Sequence, residues 1–173
     1  MFYIRKLSKK SNIYRIKNAA NNAVMDADIL KQELGTSGNT LSFWKCDSQE
    51  AMKDAMKAIL LSTTSIETTQ FVILDDDLLA RYHIDIDDTE VGMTGYKGFE
   101  NLHVNLCNLT YEKIGYILTL MKEVVEQPGR TPELKKEEVK RYIFEVKNAG
   151  LLNKDNIREE LWSDINKYCN LTA

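Results

Sequence analysis

The sequence predicts an α+β fold, a small mixed β-sheet with packed helices and a C-terminal helical hairpin. Three observations carry this. Short runs such as FYIRKL alternate apolar and polar residues, the period of a half-buried strand. QFVIL is continuously apolar, as a strand covered on both faces would be. From Thr110 onward apolar residues recur at helical spacing.

The elements follow in chain order. Residues 2–7 read as a first strand and NIYRIK (12–17) as a second, joined by SKKSN as a turn that lacks the Asn-Gly or Asp-Gly signature. Val24, Ala27, Leu30 and Leu34 mark a helix, and GTSG ends it. TLSFWKC is rich in β-branched and aromatic residues and gives a strand over 40–46, with Leu41 and Phe43 on one face and Ser42 and Trp44 on the other. Asp47 with Glu50 forms a variant capping box for the helix that follows. Strands are expected at 70–74 and 83–87, with Asp75–Asp77 capping a short helix between them. This alternation implies a parallel crossover within residues 39–87. GMTGYKG reads as a mobile surface loop, and 100–108 as a short helix at most.

Thr110 caps a long helix that QPGR ends. Thr131 and Pro132 start the next, which stops at Gly150, and Asp155 caps the last. The chain of 173 residues is expected to form one domain, an α+β body over 1–127 with a helical hairpin over 131–170, and PGRTP reads as a hinge. A chain this long buries roughly 70% of its unfolded surface, so it needs no disulfide or metal to fold.

With 43% apolar and 28% charged residues the composition is ordinary for a globular protein. No apolar run approaches the ~18 residues of a membrane span, and the N-terminal stretch lacks the apolar core of a secretory signal. Cys46, Cys107 and Cys169 are odd in number and widely spaced, which favours reduced thiols and a cytoplasmic setting.

Charge is unevenly distributed. Residues 1–25 hold Arg5, Lys6, Lys9, Lys10, Arg15 and Lys17 and no acid, whereas 26–173 hold 17 basic and 26 acidic side chains. Seven of those acids fall within 75–90. Either the two blocks face each other or they form separate surfaces.

Cys46 as a nucleophile needs a base, for which His83 and His103 are the candidates. His103 and Cys107, four apart, would share a helix face as zinc ligands can. FVILDDD places acids where a phosphoryl-transfer site holds Mg²⁺, but helix capping explains the same acids; 85–90 fails the calcium-loop pattern at Thr89 and Glu90. No metal site and no cofactor is assigned. Arg15 in NIYRI followed by Ser42 before a helix is similar in order to ADP-ribosyltransferases, whose later glutamate motif has no assignable counterpart; no family is recognised.

The leading expectation is a non-enzymatic interaction or adaptor protein working in a complex or as a homo-oligomer, of the kind found as accessory components of bacterial toxin–antitoxin or phage-defence systems. Val139, Tyr142, Ile143, Leu161 and Ile165 on the hairpin are its expected partner surface. The alternative is a small enzyme binding a phosphate-bearing ligand such as NAD or a nucleotide, with Arg5, Lys9, Lys10 and Arg15 on the phosphates. Weak nucleic-acid binding by the same block ranks third, because the acidic remainder repels a polyanion. No membrane partner is expected.

Overall fold

The computed structural model describes residues 1–8, 10–19, 25 and 27–169, with the side chains of residues 10, 11 and 169 set aside. It is an α+β structure built on a six-stranded sheet. The strands are β1 (Phe2–Leu7), β2 (Leu41–Cys46), β3 (Thr69–Asp75), β4 (Asp85–Asp87), β5 (His103–Cys107) and β6 (Glu133–Leu134), in the order β4-β5-β2-β1-β3-β6. The helices are α1 (Lys10–Asn18), α2 (Ala27–Glu33), α3 (Gln49–Leu60), α4 (Asp76–Arg81), α5 (Tyr111–Val125), α6 (Lys136–Asn148) and α7 (Glu159–Cys169). No helix among the described residues is long and apolar enough to cross a membrane.

Strand alternation divides the core in two. Tyr3, Leu7, Leu41, Phe43, Val72, Leu74, Val104 and Leu106 face a layer of α1, α2, α4 and α5. Ile4, Trp44, Cys46, Phe71 and Ile73 face α3, α6 and α7. Both faces of the central strands are thus covered, which explains the apolar run of QFVIL. The edges are short, with Asp85 and Asp87 on β4, and short charged edges resist pairing with other chains.

Several expectations need correction. The sheet is antiparallel throughout rather than mixed. β2 and β3 do run in the same direction with α3 crossing between them, but β1 lies between the two, so they never pair. Residues 12–17 lie within helix α1, because Asn12 and Ile16, four apart, are both buried while Tyr14 is 72% exposed. Six residues with two isoleucines fit either period, and packing on α5 decides. Residues 103–107 form a strand, with Val104 and Leu106 inward and His103 and Cys107 half-buried on the other side. Residues 20–24 of the expected second helix lie outside the described residues.

The caps also shift. Ser48, not Asp47, is the N-cap of α3 and accepts from the Ala51 N–H at 3.1 Å. Asp75 caps α4 and Thr110 caps α5 as expected. PGRTP is not a hinge. The carbonyls of Arg130 and Pro132 accept from Ile73 and Phe71 N–H, so this stretch extends the sheet edge into β6. Pro132 suits an edge position, where its missing N–H costs nothing. Helix α6 therefore starts at Lys136, and α7 at Glu159.

GMTGYKG is a docked strap. Buried Thr94 donates from its hydroxyl to the Ala58 carbonyl, Gly95 N–H to Leu61, and the Tyr96 hydroxyl to Asp54. Tyr96 also bridges to Leu152, tying α3 to the connection before α7.

Candidate functional site

On the α3/α6/α7 side one part of the sheet is left open. Ser42 lies on β2 between β1 and β5, yet its side chain is exposed. Two hollows meet there, sharing Ser42, Trp44 and Ser62. The first, about 400 Å³, is lined by Arg5, Lys6, Ser8, Ser42, Trp44, Ile59, Ser62 and Thr63. The second, about 440 Å³, adds Met93, His103 and residues 155–158, among them Arg158. Both fall within the size range of small-molecule sites, about 300–1,000 Å³.

Strand register builds the floor. Trp44 pairs with His103 and Ser42 with Asn105, so these four side chains share one face. The His103 ring meets Trp44 edge-on at 5.5 Å. Glu90, at the start of the strap, holds two of them. Its carboxylate accepts from Asn105 Nδ2 at 2.8 Å, and its carbonyl lies 3.4 Å from His103 Nδ1. Ser42 Oγ donates to Asn105 Oδ1 at 3.3 Å. The Ser42 proton is therefore directed to an amide, not to a base that would activate the oxygen as a nucleophile. Gly92 lets the strap close on this pair, since a Cβ there would meet His103 Cβ at 2.5 Å.

Lys6 and Arg5 are the basic groups of the first hollow, and Arg5 alternates with Lys6 toward the α2 side of the sheet. Arg5 Nε donates to the Glu33 carbonyl at 3.2 Å and Nη1 to the Ser42 carbonyl at 2.8 Å, with the guanidinium 5.9 Å from the Phe43 ring. Nη2 has no hydrogen-bond partner among the described residues. Burial pushes the guanidinium below its ordinary value, and the Glu33 carboxylate opposes that shift. Lys6 pairs with Glu67 at 3.0 Å beside it.

The other basic residues do not converge here. Arg15 is on helix α1 and lines neither hollow, and its helical setting ends the likeness in order to ADP-ribosyltransferases. Lys9 lies outside the described residues, and Lys10 opens α1. The hairpin residues expected to meet a partner turn inward. Val139, Ile143, Leu161 and Ile165 are at most 1% exposed and pack in the core, with Tyr142 half-buried against it. Their helical spacing records the face the chain covers for itself.

The acidic segment is internally paired. Asp75 binds Arg130, Asp76 accepts from Tyr3 Oη and meets the N-terminal ammonium, Asp85 pairs with Lys113, and Asp88 with Lys45. These partners are the chain terminus, Tyr3, Lys45, Lys113 and Arg130, whereas Lys6 pairs with Glu67 and Arg5 with two carbonyls. His103 and Cys107 lie on a strand, where four residues span about 13 Å, too far for one metal ion. No group of three metal-ligating side chains occurs among the described residues. Cys46 is buried, and burial, with Asp47 adding to it, pushes its thiol up to about 11. That is the opposite of an activated nucleophile.

No protein-family model, curated protein or solved structure matches this chain.

Proposed function

We propose that the protein is a non-enzymatic binding module that takes a phosphate-bearing ligand into the open cleft over β1, β2 and β5. One observation carries the reading: Arg5, half-buried and fixed by two carbonyls, lines a hollow, and its Nη2 has no hydrogen-bond partner among the described residues. An immobilised guanidinium is a strong donor site for a phosphate oxygen. Lys6 and the hydroxyls of Ser8, Ser42, Ser62 and Thr63 supply further donors on the same walls. Trp44 separates this hollow from the His103 and Arg158 end, which suits a ligand with an anionic head and a flatter body. The Ser42 proton directed to Asn105 and the raised Cys46 thiol support binding without nucleophilic chemistry by either residue.

A second reading, association with a protein that presents the anionic group, is supported by Met93 and Val91. They are 67% and 75% exposed on either side of Gly92, and Met93 lines the cleft. A cytoplasmic setting goes with either reading, supported by the free thiols of Cys46 and Cys107.

Thermal-shift screening against nucleotides, NAD, pyrophosphate and sugar phosphates tests the first reading. A ligand at 100 times its dissociation constant should raise Tm by about 5–10 °C, and Arg5→Lys should lower its affinity about tenfold. A panel without any shift removes this reading. Light scattering and pull-down test the second, for which a monomer without partners is the contrary result.

A further inference from the structure

We propose a second anion site, independent of the cleft, where α6 and α7 surround Tyr168 with three lysines, and that it takes a compact polyphosphate anion. Lys136 and Lys140 from α6 and Lys167 from α7 place their ammoniums 4.9, 4.7 and 5.2 Å from the centre of the Tyr168 ring. The three charges therefore lie within about 10 Å of one another, one Debye length at 0.1 M salt, where like charges still repel. Lys140 is offset by Glu137 at 2.7 Å. Lys136 and Lys167, both exposed, have no carboxylate partner among the described residues.

Cation–π attraction to the ring explains how each lysine rests there. It does not explain why three converge on a single ring from two helices. Their convergence follows from the packing of the buried helix faces, which fixes α7 against α6 through Val139, Ile143, Leu161 and Ile165. The lysines are thus gathered before any ligand arrives. A single carboxylate would satisfy one of them, whereas a chain of adjacent phosphoryl groups offers several charges over the same span. Lysines serve as point charges toward such groups. The net acidity of residues 26–173 repels a long nucleic acid more than a compact anion that meets only the lysines.

The test is an NMR titration of the full chain with sodium tripolyphosphate, following the Tyr168 ring and the lysine side chains. Sodium chloride at equal ionic strength and the double variant Lys136→Gln, Lys167→Gln run in parallel. The proposal expects saturable movement of the Tyr168 ring resonances, absent in chloride, with about tenfold weaker binding in the variant at unchanged Tm. Both substitutions are at exposed positions, so the fold is retained. Equal shifts in chloride, a stationary Tyr168 ring, or undiminished binding by the variant overturns it. Site-resolved signals separate this site from the cleft, whose residues lie on β1, β2, β5, the strap, the end of α3 and residues 155–158.

Discussion

Arg5 on β1 donates from Nε to the backbone carbonyl of Glu33 at 3.2 Å, and the Glu33 side chain is fully buried beneath it. The carboxylate accepts from Ser8 N–H with both oxygens at 3.0 Å and from Asn12 Nδ2. One acid at the end of α2 thus fixes the exit of β1 and the first turn of α1, where negative charge suits the helix dipole. Glu33→Ala should cost about 3 kcal/mol, since it leaves the Ser8 N–H and the buried Asn12 amide without their acceptor and takes the neighbouring negative charge from Arg5. Urea denaturation measures this, and a loss under about 1 kcal/mol would contradict the account.

Low pH should release the acidic segment first. Tyr3 and the N-terminal ammonium hold Asp76 below its ordinary value of 3.8, Lys113 holds Asp85 down, and Lys45 holds Asp88 down. A lowered folded value contributes stability above the ordinary one, which is lost as pH falls through the lowered one. The N-terminal ammonium is raised from 8.0 by Asp76, so its share is present below that pH and lost on passing above the raised value. Tm against pH should form a plateau that falls at both ends, and Asp76→Asn should flatten both falls. An unchanged profile in that variant would rule out the pairing as their source.

Cys46 should resist alkylation. With its thiol pushed up to about 11, the thiolate is scarce at pH 8, and the side chain is 3% exposed. Mass-spectrometric mapping after iodoacetamide should find Cys46 unmodified in the native protein and modified in denaturant. Native labelling at the rate of a free thiol would count against its placement in the core.

The strap depends on Gly92. A methyl there would strike His103 Cβ at 2.5 Å and Trp44 Cη2 at 2.9 Å. Gly92→Ala should cost about 1–3 kcal/mol through overpacking. It should also speed hydrogen exchange at Gly95 and Tyr96, whose N–H groups anchor the strap. Wild-type exchange at those amides would show that the strap is not held this way.

Strand alternation made the α+β class and the two faces of β2 legible, because burial on both sides imposes it directly. The same period was present in HVNLC, and the expected helix there overlooked it. NIYRIK is too short to distinguish periods, and its contact with α5 lies some hundred residues away. PGRTP carries loop chemistry, yet its carbonyls complete a sheet edge that only tertiary pairing creates. The cleft was legible in Arg5 alone. Ser42, Asn105, His103 and Arg158 meet through strand register and the docking of residues 155–158, and nothing local marks them as neighbours. The hairpin residues were legible as an apolar face, but spacing cannot tell a face that meets a partner from one the chain covers itself.

The most direct test of the cleft is an amide NMR titration with inorganic pyrophosphate, read alongside an Arg5→Gln variant that retains the wild-type spectrum elsewhere. The account predicts saturable shifts at Lys6, Ser8, Ser42, Ser62 and Thr63 and at the Arg5 Nε–H, and loss of the backbone shifts in the variant. Stationary resonances at these residues in the wild-type protein, or identical shifts in Arg5→Gln, would contradict it.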